Sequence, residues 1–175
     1  MRILNFSIPG EPKPKQSARF RAFQANGKTF VQSYQKKEVK DEERSIKLVV
    51  KEQLPTDFKI HEGPIIVFNL EFHFPPLKSF SKKEKAIIEN YNFLYKTTKP
   101  DLTDNLAKGL FDALQGIVYA NDSQICGIRS SVKCYSQKPR TDLTLHLYDN
   151  VLEFYSLVKL TMPNIPEFQE ELAPS

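Results

Sequence analysis

The sequence is poor in cysteine and histidine. Its only cysteines are Cys126 and Cys134, eight positions apart, and its three histidines are scattered at His61, His73 and His146. A zinc site of His and Cys ligands needs closer spacing than this. An even separation along one strand would put both cysteines on the same face. The pair is open to two interpretations, a disulfide or metal pair, or two small core or surface side chains, and we favour the second.

Long hydrophobic segments are absent as well. No apolar run approaches the roughly 20 residues that span a bilayer. The first residues, MRILNFSIPGEPKPK, lack the uninterrupted apolar stretch of a signal peptide. We therefore expect a cytoplasmic protein with no membrane partner. The 175 residues, 40% hydrophobic and 26% charged, predict one globular domain over residues 1–149, followed by a C-terminal helix and loose tail over 150–175.

The charge is unevenly distributed. Residues 1–40 contain nine Lys or Arg and two Asp or Glu, whereas residues 161–175 contain three Glu and no basic residue. A basic N-terminal region favours a polyanionic partner, although a solvated basic surface is the alternative. A second basic cluster opens a predicted helix further along the chain. The candidate DNA-binding residues of these two regions are Lys13, Lys15, Arg19, Arg21, Lys78, Lys82 and Lys83.

Hydrophobic periodicity and turn signals predict an alternation of strands and helices. Strands are expected at 2–8, 65–74, 123–134 and 141–149, a hairpin around Asn26-Gly27 at about 19–32, and helices at 34–54, about 82–90, 103–116 and 150–160. Ser81 and Glu84 form a capping-box pattern before the second helix. In the third helix, Thr103 is the predicted N-cap and Gly116 the C-terminal glycine.

The residues capable of chemistry surround this third helix. Asp101 and Asp104 stand where an extended segment meets the helix, so their carboxylates can converge. Asp122 lies beyond its far end and can join them only if the following strand runs beside the helix N-terminus. Clustered carboxylates repel one another unless they are protonated or bind a hard divalent cation. Lys108, one turn after Asp104, is placed to stabilise a phosphoryl transition state.

Other interpretations of these acidic residues are weaker. A helix cap with a solvated helix face remains open as the structural alternative. An EF-hand is excluded because its loop glycine and terminal glutamate are absent. An acyl-phosphate phosphatase motif has its two aspartates two positions apart, whereas Asp101 and Asp104 are three apart.

The segment 99–125 resembles the RusA-like family of Holliday-junction resolvases. The family pattern K-P-D-x-D-N-x-x-K-x-x-x-D-A-L, followed by G-x-x-x-x-D-x-Q, is matched by KPDLTDNLAKGLFDAL, then Gly116 and Asp122-Ser123-Gln124. FSIPGEPKPKQSARFR and FHFPPLKSFSKKEKA are similar to further parts of the family. Two departures stand out. Two residues separate Asp101 from Asp104 where the family has one, so Thr103 is an extra residue to be absorbed where the helix begins. Asn121 replaces a frequent aspartate but keeps an oxygen donor.

The resemblance implies a bacterial or phage-infected cell as the source, a fold and an activity. The fold is an α/β (α+β) single small domain with a mixed β-sheet packed by helices, and the protein is a homodimer. The activity is Mg²⁺-dependent cleavage of four-way DNA junctions by an endodeoxyribonuclease in recombination and repair, with Mn²⁺ as a possible substitute and no small-molecule cofactor. Asp101, Asp104 and Asp122 are the implied metal ligands, and Lys108 is the implied catalytic lysine. A dimer also suits a junction that is resolved by two symmetric nicks.

Some questions stay open at this stage. The rival function is a non-catalytic junction-binding accessory protein, which the presence of all three aspartates and Lys108 disfavours. A phosphohydrolase of small nucleotides would need a Gly-rich phosphate loop, which is missing. Asp112 is interpreted as a helix-face partner of Lys108 rather than a ligand. Glu71 is a fourth candidate carboxylate, although an outward-facing strand residue is the simpler interpretation.

Overall fold

The computed structural model describes residues 1–15, 19–34 and 37–155. Within these ranges lie eight strands and three α-helices, together with a helical segment at residues 151–155. The strands are β1 (Arg2–Pro9), β2 (Arg19–Ala25), β3 (Lys28–Tyr34), β4 (Ile65–Phe74), β5 (Leu94–Tyr95), β6 (Ile125–Ile128), β7 (Ser131–Tyr135) and β8 (Arg140–Leu147). The α-helices are α1 (Lys37–Gln53), α2 (Lys82–Tyr91) and α3 (Lys108–Leu114). A π-helical turn, Leu102–Ala107, leads directly into α3, and a 3₁₀ turn, Asp122–Gln124, precedes β6.

Six of the strands form one mixed sheet in which β4 is central. The main path runs β1-β8-β4-β7-β5, and β6 pairs with β4 beside β7. β8 is antiparallel to both β1 and β4, whereas β6 and β7 are parallel to β4. The expected single small domain with a mixed sheet packed by helices is confirmed.

The hydrophobic core lies on one face of this sheet. Alternate residues of β4 and β8 point into it, including Leu70 and Leu145, because successive side chains of a strand face opposite sides. Val50 of α1 and Leu110 and Leu114 of α3 complete the same buried cluster. The other face of the sheet carries polar residues. Ile88 of α2 and Leu106 of the π-helical turn belong to the buried cluster as well, so all three helices and the turn contribute to the core.

Most predicted elements are present with small shifts at their ends. The predicted strand 123–134 is wrong as a single element, because it is divided into β6 and β7 with a turn at Arg129 and Ser130. The division matches an irregularity of β4 between Val67 and Asn69, where the backbone N–H of Arg129 donates to the carbonyl of Val67 at 2.9 Å. The short strand β5 was not expected. The predicted capping box of Ser81 and Glu84 is confirmed.

The break between β6 and β7 also changes the expectation for the cysteines. Cys126 is exposed and Cys134 is buried, and both are free thiols. The single strand that the same-face placement required is therefore absent, and the two free thiols on separate strands agree with the favoured interpretation of two small side chains.

The C-terminal prediction is only partly covered by the structure. Residues 151–155 are helical, and the remainder of the predicted helix and the tail, residues 156–175, lie outside the described residues. No helix within the described ranges is long and apolar enough to cross a membrane.

Candidate active site

The chain that leads to Asp101 is held against β7. The backbone N–H of Lys96 donates to the carbonyl of Lys133 at 2.9 Å. The Lys133 ammonium donates in return to the carbonyl oxygens of Thr98, at 2.8 Å, and Pro100, at 2.6 Å. Lys133 therefore fixes the backbone immediately before the first candidate ligand. Sequence reasoning missed this residue because nothing in the linear pattern links it to a segment more than 30 positions earlier.

The helix that carries the site begins with a π turn rather than an α turn. The N–H of Leu106 donates to the carbonyl of Asp101, and the N–H of Lys108 donates to the carbonyl of Thr103, so both bonds span five residues. A π turn accommodates one more residue than the α turn it replaces, and such turns are frequent at functional sites. The extra residue between Asp101 and Asp104 is thus absorbed at the start of the helix, as expected from the sequence.

Asp101, not Thr103, is the N-cap residue, so that prediction is wrong. Its extended backbone comes before the first helical residue, and its side chain makes no capping bond to a backbone N–H. Instead, Asp101 Oδ2 accepts a hydrogen bond from the Asn105 side-chain amide at 3.2 Å. The Asp101 side chain therefore does not cap the helix, which weakens the interpretation of this residue as a helix cap.

The polar face of the helix is exposed and keeps its charges unpaired. Asp101, Asp104 and Lys108 are all exposed. Within residues 1–15, 19–34 and 37–155, no ion pair involves Asp101, Asp104, Asp122 or Lys108. Three exposed carboxylates and one exposed ammonium are therefore available without an ion-pair partner among the described residues.

Asp122 lies in a separately braced turn. The Asn121 side chain accepts from the N–H of Ser123 at 2.9 Å, and the Gln124 side chain accepts from the N–H of Asn121 at 2.8 Å. Gln124 also donates to the carbonyl oxygens of His61 and Gly63 at 3.0 and 2.9 Å. The oxygen of Asn121 thus caps the turn, and Asp122 is held on a rigid support with its own carboxylate exposed.

The buried Tyr119 connects the segment before Asp122 to α3. Its hydroxyl donates to the carbonyl of Phe111 in α3 at 2.8 Å. Burial raises the pKa of this hydroxyl above its ordinary value, and the negative charges of Asp122 and Asp112 raise it further. The Tyr119 hydroxyl therefore joins the segment that leads to Asp122 to the second half of α3.

The three aspartates suit a hard divalent cation by their chemistry. Carboxylate oxygens are the donors that Mg²⁺ prefers, and Mg²⁺ is usually held by one or two carboxylates together with water. Asp101, Asp104 and Asp122 do not form a trio whose ligand atoms all lie within 4.8 Å, since the group of that kind among the described residues is elsewhere. The donor set therefore fits Mg²⁺ held directly by one or two of these carboxylates, and the predicted three-way convergence remains a prediction.

Asp112 has a different partner from the one expected. Its carboxylate accepts from the Lys15 ammonium at 2.5 Å, and Glu43 of α1 accepts from the same ammonium at 3.2 Å. The predicted pairing of Asp112 with Lys108 is therefore wrong. Burial lowers the pKa of Lys15, but the hydrogen bonds to Asp112 and Glu43 outweigh it and raise that pKa above its ordinary value.

Lys15 also binds the π turn through its backbone. Its N–H donates to the carbonyl of Asn105 in the π turn at 2.9 Å. A β-carbon added to Gly109 would lie 3.0 Å from the β-carbon of Lys15, so the close approach depends on glycine. Lys15, a candidate for DNA binding, is thus occupied in joining three parts of the site.

The other basic candidates differ in their availability. Lys13 pairs with Glu42 at 2.6 Å and remains largely exposed. Arg19 is the first residue of β2. The remaining four candidates are exposed and make no ion pair within the described part of the chain: Arg21, Lys78, Lys82 and Lys83.

A second polar group lies on the open face of the sheet. The ligand atoms of Glu71, His73 and Asp142 lie within 4.8 Å of one another. His73 Nε2 is 2.9 Å from Glu71 and 3.6 Å from Asp142, and Asp142 also accepts from Arg140 at 2.6 Å. Sequence reasoning considered Glu71 alone, because pairing between β4 and β8 supplies its neighbours.

The buried Cys134 adds one more contact to this group. Burial, with a further contribution from the charge of Glu71, raises the pKa of the Cys134 thiol to about 11. Cys134 Sγ lies 3.3 Å from His73 Nδ1, and Glu71 lies 2.9 Å from His73 Nε2, so both ring nitrogens have a partner. These contacts, with the Arg140 pair, make the group an internally satisfied network.

The chain matches the endodeoxyribonuclease RusA family over residues 9–146. It is also similar to the uncharacterized protein YqaN of Bacillus subtilis (strain 168), with 33% identity over 153 residues that cover 83% of this chain and 96% of the relative.

The protein belongs to the RusA endodeoxyribonuclease family, in agreement with the resemblance carried by residues 99–125. It is therefore an enzyme that hydrolyses DNA phosphodiester bonds, within a family of metal-dependent Holliday-junction resolvases.

Proposed function

We propose that this protein resolves four-way DNA junctions by paired, symmetric cleavage, as a homodimer that depends on Mg²⁺. The observation that carries the proposal is the exposed acidic face of the π turn and α3, where Asp101, Asp104 and Lys108 have no ion-pair partner among the described residues. Membership of the RusA family supplies the reaction class.

Each candidate residue has a distinct role in the proposed reaction. Asp101 and Asp104 would hold Mg²⁺ directly, and Asp122 would contribute directly or through water. When bound, the ion would polarise the scissile phosphate and favour an attacking hydroxide. Lys108 would place its ammonium against the negative charge that develops on the phosphate oxygens. Lys133 would position Asp101 by holding the backbone of residues 98–100.

The supporting basic surface is smaller than the sequence suggests. Lys15 joins the N-terminal segment to Asp112 and Glu43, so we assign it to the architecture of the site. Arg21, Lys78, Lys82 and Lys83 remain available for phosphates, with Lys13 in an exposed pair that DNA can displace. Phosphate contacts of this kind position a nuclease on DNA without reading its sequence.

The test is a nicking assay on synthetic four-way junctions with and without Mg²⁺, followed by the same assay with Mn²⁺. Asp104→Asn and Asp122→Asn are expected to abolish cleavage while junction binding persists, because each removes a charged metal ligand and keeps the shape of the side chain. Asp41→Asn, on the exposed side of α1, is the matched control.

Three results would contradict the proposal. Cleavage at the wild-type rate by both site variants would exclude these carboxylates, and undiminished cleavage in a chelator would exclude the metal. Tight junction binding without any cleavage, in either metal, would favour the accessory protein.

A further inference from the structure

The β2–β3 hairpin stands apart from the main sheet. Its two strands pair only with each other, across a turn at Asn26 and Gly27 whose φ angles are 51° and 73°. Positive φ at both positions is the geometry of a tight type I′ hairpin turn. A lone two-stranded hairpin is marginally stable in water, so a surface that binds one of its faces would also stabilise it.

The two faces of the hairpin have different chemistry. Residues paired across antiparallel strands share a face, and the register pairs Phe23 with Phe30 and Ala22 with Val31. The first face therefore presents Arg21, Phe23, Lys28, Phe30 and Gln32. The second presents Phe20, Ala22, Gln24, Thr29 and Val31, none of them charged. Positive charge and a pair of aromatic rings are thus combined on the first face only.

The two rings on the basic face are stacked and remain accessible. The Phe23 and Phe30 ring centroids are 5.7 Å apart with 21° between the ring planes, yet the residues are 43% and 46% exposed. Aromatic rings beside basic side chains are the combination that proteins use to hold unpaired nucleotides, since the ring stacks on a base while the cation binds the phosphate.

We propose that this face, defined by Arg21, Phe23, Lys28 and Phe30, is a base-stacking platform for DNA. It would hold a base that has become unstacked at the branch point of a junction. This inference rests on the proposed function, because bases inside a continuous duplex are not accessible to the rings. Arg21 and Lys28, on either side of the ring pair, would bind the adjacent phosphates.

The platform predicts that its two kinds of residue affect binding differently. Loss of a phosphate contact at Arg21 or Lys28 lowers the dependence of log K on log salt concentration by about 0.9, for junction and duplex alike. Loss of stacking acts on a contact that releases no counterions. Changes at Phe23 and Phe30 are therefore expected to weaken junction binding without altering the salt dependence.

The experiment uses the full chain in a chelator, so that DNA is bound but not cut. The probes are a synthetic four-way junction with 2-aminopurine at the branch point and a linear duplex of the same sequence. Phe23→Leu with Phe30→Leu keeps apolar bulk and removes both rings. Phe20→Leu with Val31→Leu, on the opposite face, is the matched control and also reports on any general weakening of the hairpin.

We expect the Phe23/Phe30 double variant to bind the junction roughly ten- to a hundredfold more weakly, with unchanged duplex affinity. The change in 2-aminopurine fluorescence that accompanies junction binding by the wild type is expected to be lost. Equal behaviour of the two double variants would overturn the inference while leaving the proposed function intact, provided that the wild type binds and cuts the junction. A shift in the sedimentation of the Phe23/Phe30 variant, with junction binding unchanged, would instead identify this face as a contact between protein chains. A wild-type protein that binds no junction would overturn the proposed function and this inference together.

Discussion

Deletion of Thr103 tests whether the π turn compensates for one extra residue. The deletion converts KPDLTDN into KPDLDN, the spacing of the family pattern, and removes an exposed residue. We expect Leu102–Ala107 to become a regular α turn, with the bonds that now span five residues shortened to four. Everything from Asp104 onward would keep its position, because the change in helix type cancels the loss of the residue.

The expected energetic effect is small and stabilising. The α turn gains better hydrogen-bond geometry, and a typical hydrogen bond contributes about 1 kcal/mol net. One residue fewer must also be ordered on folding. We therefore expect the free energy of unfolding to rise by about 1 kcal/mol or stay level, which corresponds to at most about 4 °C in Tm for a domain of this size.

Deletion of Ser45 is the matched control, because it removes an exposed residue from the regular helix α1. Each residue of an α-helix turns the chain by about 100°, so one half of α1 must rotate. Either the fully buried Val50 leaves the core or Glu43 leaves Lys15. Both choices are destabilising, by about 2 kcal/mol for the loss of one buried aliphatic side chain.

Urea unfolding followed by far-UV circular dichroism measures both variants, since the chain contains no tryptophan to report on folding. Junction cleavage by the Thr103 deletion is measured in parallel and is expected to persist. A loss of stability comparable to that of the Ser45 deletion would refute the compensation. So would a stable variant that no longer cleaves, because the wider turn would then be a requirement of the site.

Three further predictions concern single side chains. Lys108→Ala should lower the single-turnover cleavage rate by roughly two to three orders of magnitude with little change in junction affinity, and Lys40→Ala is its exposed control. Lys15→Met should lower the free energy of unfolding by about 1–2 kcal/mol in urea, because Asp112 and Glu43 lose their shared cation, whereas Lys28→Ala should change it by less than about 0.5 kcal/mol. His146 stacks on Phe68, and its pKa is lowered mainly by burial and also by the charge of Arg129. The contribution of His146 to the free energy of unfolding is full above about pH 6.5 and is lost as the pH falls towards the lowered pKa. His146→Phe should therefore lose less stability between pH 7 and pH 5, and an identical acid profile would contradict this assignment.

The elements that the sequence predicted well are those whose signals are local. The hairpin turn at Asn26-Gly27, the Ser81 capping box and the positive φ of Gly116 each depend on a few neighbouring residues. The extra residue at Thr103 was also visible in the spacing of the aspartates. Its solution as a π turn could not be predicted, because it depends on whether the helix keeps its packing against the core on both sides of the insertion.

The features that sequence reasoning missed all join distant parts of the chain. Lys133 reaches back to Thr98 and Pro100, and Lys15 reaches forward to Asp112. Both are lysines, and a lysine in a basic region is indistinguishable by sequence from one that binds phosphate. Only the partners separate the two roles, and the partners are set by the tertiary fold.

The two lysines together explain how an exposed acidic site keeps its shape without buried ligands. Lys133 fixes the backbone before Asp101, and Lys15 binds the carbonyl of Asn105 within the π turn as well as Asp112 beyond it. The start of the helix is thus held on both sides by cations that neutralise none of the three candidate metal ligands. Asp101, Asp104 and Asp122 make no ion pair among the described residues, so none of the three is engaged by the lysines that hold the backbone. Under the proposed function, the positive charges in this part of the protein are therefore divided between two tasks, with Lys15 and Lys133 shaping the site and Lys108 left free for the phosphate.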